Sequence, residues 1–233
     1  MISKIPSQPA ACQLEAYQLF VGALPRIHTT EGLITAATAV SLHALDDVDP
    51  RRVADKISAL AADVRSRVRS PRTSPLLAHL HEVLFVEQRF AGNTDHYYVA
   101  LNSYLPVVLD TRRGLPIILS LIYKAVGERL GLEIEGVNAP GHFMVRVRSD
   151  EGWMIVDPFY GGASLSRSEA FQRLDHTVGK PVPREDQWLA SASHPQWLAR
   201  ILANLVALFA AEGRQDDLAA MSELHHVLEV ACA

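Results

Sequence analysis

Arg112-Arg113-Gly114-Leu115-Pro116-Ile117-Ile118-Leu119-Ser120, followed by Gly141-His142-Phe143 and then Val156-Asp157-Pro158, decides how this chain is read. Pro116 suits the first position of a helix, where a missing N–H costs nothing. From Ile117 to Val126 the residues are almost continuously apolar, so the helix is expected to be central and buried. Gly131 supplies its C-terminal glycine cap. The pattern then turns β-like over 133–137, 142–147 and 153–156. Met144-Val145-Arg146-Val147 alternates between glycine and Ser-Asp turns, and Pro140-Gly141 and Gly161-Gly162 punctuate the strands. Adjacent antiparallel strands bring His142 and Asp157 into hydrogen-bond reach. A carboxylate so placed fixes the imidazole's tautomer and orientation, as in any base and its orienting partner. A structural hydrogen bond between neighbouring strands is the competing reading.

Outward from this centre the chain is helical. Leu14, Tyr17, Leu19 and Phe20 make a short apolar face, and 34–45 makes another. Asp49-Pro50 is a helix start, with the carboxylate as N-cap. Val53, Ile57, Leu60, Val64 and Val68 then form one amphipathic stripe, and Arg65, Arg67, Arg69 and Arg72 sit at its end as a solvated face that offsets the helix dipole. Ser74-Pro75 restarts a helix through Leu76, Leu77, Leu80, Val83, Leu84 and Phe85. The loop 90–98 turns at Gly92-Asn93, and Ser103 is placed to cap a helix through Leu109. Beyond the strands, Ser166 and Glu169 spell a capping box. Residues 195–230 read as two amphipathic helices broken at Gly213, a pair resembling one unit of a tetratricopeptide-type array. One unit cannot bury both its faces, so the pair is expected to pack on the main domain. The division drawn is a helical N-terminal segment over 1–75, a core over 76–185 and a C-terminal helix pair over 186–233.

Composition narrows the function classes. With 22 Lys+Arg against 26 Asp+Glu the net charge is -4, which gives no electrostatic case for nucleic acid or an anionic membrane. Met1 to Pro6 lack the apolar centre of a leader, and no apolar run reaches the roughly 18 residues that span a bilayer. Cys12 and Cys232 lie near opposite ends without a pairing pattern; two free thiols in a reducing cytoplasm is the expectation. The 10 histidines show no ligand spacing, and the adjacent His225-His226 point to different helix faces, so neither a metal nor a cofactor is expected.

The ordered strings Leu84-Phe85, Phe90-Ala91-Gly92-Asn93, Asn102-Ser103-Tyr104-Leu105, Arg113-Gly114-Leu115-Pro116-Ile117, Leu119-Ser120, Pro140-Gly141-His142-Phe143 and Asp157-Pro158-Phe159 resemble the SirB family, bacterial proteins with a transglutaminase-like core. The resemblance covers 76–162 closely and the flanks less specifically. It implies an α+β fold: a transglutaminase-like (cysteine-protease-like) core with a small antiparallel sheet, helical N-terminal residues and a C-terminal helix pair. It puts His142 and Asp157 at the dyad positions of the Cys-helix, His-strand, Asp-strand order, with Pro116 where the thiol nucleophile would stand. Family members often carry Ser or Thr where this chain has Ile118. Ser120, one turn further on, is read as a core hydroxyl bonding back to the Pro116 carbonyl, with a nucleophile as the sharper alternative. Asn93 and Asn102 are candidates to approach the cleft, where an amide upstream of a nucleophile helps stabilise an oxyanion; turn and cap chemistry is the bland alternative. Arg113 with Arg112 suits a carboxylate clamp or a helix C-terminal charge cap, and Tyr97 or Tyr98 suits a pocket wall or ordinary core. Trp153 is expected beneath the sheet.

Two function classes remain open on the sequence. One is a binding or regulatory protein whose cleft holds a small molecule or peptide, with helical flanks that contact a protein partner. The other is a thiol-independent enzyme in which His142 is a general base. Missing cysteine argues against acyl-enzyme chemistry and says nothing against proton transfer.

Overall fold

The computed structural model describes residues 5–70 and 72–233; residues 1–4, which belong to the Met1 to Pro6 stretch, lie outside them. Among the described residues, nine α-helices and seven short strands divide between two compact units, one of Met1–Ala54, His96–Asp110 and Ser193–Ala233, the other of Asp55–Asp95 and Thr111–Ala192. These units interleave segments that the sequence reading laid end to end. Among the described residues no helix is long and apolar enough to cross a membrane.

The first unit is helical. α1 (Leu14–Ala23) buries Ala16, Tyr17, Phe20 and Ala23, a face rotated from the expected one, which leaves Leu14 exposed. It packs on α2 (Thr30–Leu42), which starts with the Thr29 hydroxyl accepting from Gly32 N–H. The two C-terminal helices, His194–Glu212 and Gln215–Cys232, form an antiparallel pair around Gly213, whose φ of 71° is the left-handed turn glycine supplies. The Glu223 carboxylate of the second accepts from the N–H groups of Ala10, Ala11 and Cys12 at 2.5–2.9 Å, tying these early residues to the last helix.

The second unit carries the sheet. α3 (Pro50–Arg67), in this unit from Asp55 on, opens as the Asp49-Pro50 pair dictates: Asp49 Oδ1 accepts from Arg51 N–H at 2.9 Å. It buries Val53, Ile57, Leu60 and Val64, while Val68 falls beyond its end. α4 (Thr73–His81) starts one residue before the expected Ser74 and runs into a π-turn over Glu82–Glu87. β1 (Ala91–Gly92) pairs in parallel with β2 (Arg113–Gly114), and between them α5 (Leu105–Thr111) belongs to the first unit for most of its length. Ser103 does not cap α5; it closes a 3₁₀ turn over Ala100–Ser103, and Tyr104 intervenes. α6 (Pro116–Arg129) begins with proline and ends in a Schellman turn, with Leu132 N–H on the Gly127 carbonyl at 3.0 Å and Gly131 at φ 91°. Twelve of its residues, Pro116 to Gly127, are buried. Each large apolar side chain so buried contributes about 1.5–3 kcal/mol.

The five-stranded antiparallel sheet has the order β6-β5-β4-β3-β7: β3 (Ile134–Ala139), β4 (His142–Ser149), β5 (Gly152–Asp157), β6 (Ala163–Leu165) and β7 (Ser191–Ala192). α6 packs on the face that holds Ile134, which closes on Gly127 so tightly that a Cβ there would sit 2.3 Å from its side chain. α7 (Arg167–Val178), opened by the Ser166–Glu169 capping box, covers the other face through Ala170, Phe171 and Leu174 against Val137, Ala139 and Met144.

Candidate functional site

The first residue of β4 and the last of β5 make the site. His142 follows Ala139 across the Pro140-Gly141 turn, where Gly141 stands at φ 70°. Strand alternation puts it on the face of Met144. One step beyond the Val145–Val156 pair, Met144 lies opposite Asp157, so imidazole and carboxylate share that face. Nε2 of His142 stands 2.9 Å from Asp157 Oδ2, with the side chains 3% and 0% exposed. An ionised carboxylate only accepts, so facing one Nε2–H donates, and a neutral ring in that tautomer has its acceptor at Nδ1. The other oxygen, Oδ1, accepts from Phe159 N–H at 3.1 Å, because Asp157 also caps the 3₁₀ turn Pro158–Tyr160. The Asp157 carbonyl accepts from Gly162 N–H at 2.9 Å. The turn presents two rings to the imidazole, Phe159 edge-on at 5.9 Å and Tyr160 at 6.0 Å.

Arg173 of α7 completes the group. Its guanidinium nitrogen lies 3.7 Å from Asp157 Oδ2, and its carbon sits 3.7 Å over the Tyr160 ring. Sequence reasoning missed this residue. Its one signal is a cation flanked on α7 by the apolar Ala170, Phe171 and Leu174 stripe.

The surroundings bring the turn after Asp157 to the segment leading into α6. Phe159 packs on Gly92, where a Cβ would lie 2.4 Å from its ring, and Asn93 N–H bonds the Gly114 carbonyl at 3.2 Å, two residues before Pro116. Phe85 packs equally closely on Gly162 and stacks on Tyr123, whose hydroxyl meets Nε2 of His81 at 2.8 Å. Burial lowers the His81 pKa and raises that of Tyr123, which favours the neutral form of both; in the tautomer with a bare Nε2 the tyrosine O–H donates a hydrogen bond to it.

The remaining candidates fall in several places. Ser120 is fully buried, and its hydroxyl has no hydrogen-bond partner among the described residues; the expected bond back to Pro116 is not made. Arg113 bonds the carbonyls of Arg89 and Arg112, and Arg112, at φ 62°, stacks on Phe90 and donates to Gln88. Asn102 belongs to the first unit, where its amide donates to the carbonyls of His96 and Tyr97 at 2.6 and 3.0 Å, bracing their loop. Tyr98, in the same unit, is 81% exposed and meets Tyr97 edge-on. Trp153 is not beneath the sheet: it is 37% exposed, with the Arg146 guanidinium 4.5 Å from its ring centre. Both thiols are free and lie in the first unit; burial and the nearby Glu223 carboxylate push Cys12 up to about 12.

A central apolar helix, an antiparallel sheet and a histidine–aspartate pair at its strand ends are the elements of a transglutaminase-like core. The model of the transglutaminase-like superfamily matches residues 51–203, and the chain belongs to that superfamily. A UPF0162 protein of Xylella fastidiosa (strain 9a5c) is 35% identical over 192 residues, which are 80% of this chain and 68% of that one. A UPF0162 protein of Pseudomonas aeruginosa is 30% identical, covering 81% and 64% of the two chains. F-box only protein 21 of Mus musculus is 32% identical over 148 residues, 60% of this chain and 23% of its own length. No solved structure matches the chain.

Proposed function

We propose that this is a SirB-type transglutaminase-like protein that has no thiol chemistry and acts as a binding or regulatory pseudoenzyme, holding a small molecule or peptide beside His142 and Asp157. The observation that carries the reading is the missing nucleophile. Pro116 stands where the resemblance puts the thiol, and Cys12 and Cys232 both lie in the other compact unit. The pair beside which the ligand would sit is fixed by the fold itself: Asp157 has hydrogen bonds on both oxygens and Arg173 nearby. Residues 76–185 carry the site in this reading. The helical N-terminal residues 1–75 and the tetratricopeptide-like pair over 186–233 are the surfaces for a protein partner, in a reducing cytoplasm. The similarity to 23% of F-box only protein 21 fits a module that also occurs within a longer protein.

One observation favours the enzyme alternative. With Nε2–H committed to Asp157, Nδ1 of His142 keeps the lone pair a general base needs. A thermal-shift screen of metabolites and short peptides, run on wild type and His142→Ala, tests the reading. The expected result is a class of compounds that raises the wild-type midpoint and does so less for the variant. Compounds that shift both equally would place the ligand away from the pair and sink the proposal.

A further inference from the structure

On the α7 face of the second unit lies an open hollow of about 430 Å³, walled by Tyr160, Leu165, Glu169, Gln172, Arg173 and His176, within the size range of small-molecule sites. Glu169, Gln172, Arg173 and His176 are spaced as one stripe of the helix. The Arg173 side chain is 23% exposed, and among the described residues its guanidinium donates no hydrogen bond. It sits over the ring of Tyr160 and lies 3.7 Å from the Asp157 oxygen, beyond hydrogen-bond length. A guanidinium carries five donors in a planar fork that matches two acceptor oxygens. A partly buried fork that, among the described residues, donates no hydrogen bond at the edge of a hollow is a prepared anchor.

We infer that this hollow binds a carboxylate, gripped by the Arg173 fork with Gln172 and His176 beside it and Tyr160 as the wall. A carboxylate matches the charge available. The hollow offers one arginine, which also faces Asp157, and its rim carries the Glu169 carboxylate, whose charge opposes a phosphate dianion more than a single carboxylate. The same carboxylate chemistry is offered by a free small acid and by an acidic side chain or C-terminus of a peptide. The inference deepens the proposed binding role and rests on it only for the link to His142. That link runs through Arg173, which touches Asp157 and the Tyr160 ring that in turn lies 6.0 Å from the imidazole. Drawing the guanidinium toward a ligand therefore changes the field at the pair while the buried imidazole itself stays covered.

The test is a titration of ¹⁵N-labelled full-length protein followed by NMR at the arginine Nε–Hε and histidine ring resonances. Its probes are benzoate, glutarate, an acidic tetrapeptide with a free C-terminus, its C-terminally amidated neutral counterpart, and inorganic phosphate. Saturable shifts of the Arg173 resonance by the carboxylates are expected, and whether benzoate and glutarate or the acidic peptide binds tighter separates the two sources. His176→Glu, which adds a like charge without touching Asp157, is expected to weaken binding by about tenfold or more, as is Arg173→Met. His142→Ala is expected to weaken binding, but by less than Arg173→Met does, because the imidazole meets the site only through Tyr160 and Asp157. No saturable shift in wild type, unchanged binding in His176→Glu, or phosphate bound more tightly than every carboxylate would each overturn the inference. Full affinity in His142→Ala together with an unmoved His142 resonance in wild type would keep the carboxylate site and remove its link to the pair.

Discussion

Replacing Asp157 with alanine removes a fully buried carboxylate that faces His142, Phe159 N–H and Arg173. The carboxylate is fully buried and accepts from His142 Nε2 at 2.9 Å and from Phe159 N–H at 3.1 Å. The substitution leaves both donors buried and unpaired, at about 1–3 kcal/mol each. Arg173 loses its counter-charge but, being 23% exposed, is hydrated in exchange, so it adds little. The sum, about 2–6 kcal/mol, agrees with the roughly 3–5 kcal/mol that breaking a buried pair costs. Against a total of about 5–15 kcal/mol this is a large fraction, and about 4 kcal/mol corresponds to a midpoint lowered by roughly 8–16 °C for a chain of this size. Asp157→Asn keeps one acceptor oxygen and puts an NH2 donor at the other position, so one of the two hydrogen bonds can survive and the expected cost is about 1–3 kcal/mol. Urea unfolding followed by circular dichroism, with the slope checked for constancy, measures both. An alanine variant within about 0.5 kcal/mol of wild type at unchanged slope would refute the reasoning, because it would mean that water already satisfies these donors.

Three further outcomes are expected. Gly162→Ala forces a side chain into φ 74° with its Cβ 2.2 Å from the Phe85 ring, costing about 1–2 kcal/mol for the backbone and about 1–3 kcal/mol for overpacking; chemical unfolding in a Phe85→Ala background is expected to recover the overpacking cost, and no recovery would contradict the packing. His81 has its pKa lowered by burial, so its stability contribution is fully present above its ordinary value near 6.5 and is lost as pH falls below it; His81→Gln is expected to flatten the fall in urea midpoint between about pH 7.5 and about pH 5.5, and parallel curves would count against a neutral buried imidazole. A thiol reagent at about pH 8 is expected to label exposed Cys232 and leave buried Cys12, pushed up to about 12, unreacted until the protein unfolds; rapid double labelling would contradict the Glu223 anchoring of residues 10–12.

What the sequence made legible was local or periodic. The Asp49-Pro50 start, the Ser166–Glu169 box, the Gly131 cap and the apolar run of α6 are each set by neighbours within a few residues, and all stand in the structure. The meeting of His142 with Asp157 followed from two strands joined by a short turn. Long-range pairing was not legible. β1 and β2 are two-residue strands that pair only with each other, far apart in the chain, and β7 joins the sheet through two residues. Trp153 shares the α7-covered face with Ile155 and Asp157 but sits near the start of β5, where it is 37% exposed; alternation gives the face and not how well it is covered at that end. Arg173 was illegible because its partner Asp157 lies on another element, and helix periodicity marks only which side of α7 faces inward. Ser120 shows the reverse error: its spacing allowed a bond to Pro116 that the packed helix does not make.

The central claim is a transglutaminase-like core that binds without turnover, and it is tested most directly by following a stabilising ligand over time. Such a compound is incubated with catalytic amounts of wild type and of His142→Ala and analysed by mass spectrometry. The account predicts that it is recovered unchanged from both. Consumption by wild type that the alanine variant lacks would contradict the account and establish His142 as a working base.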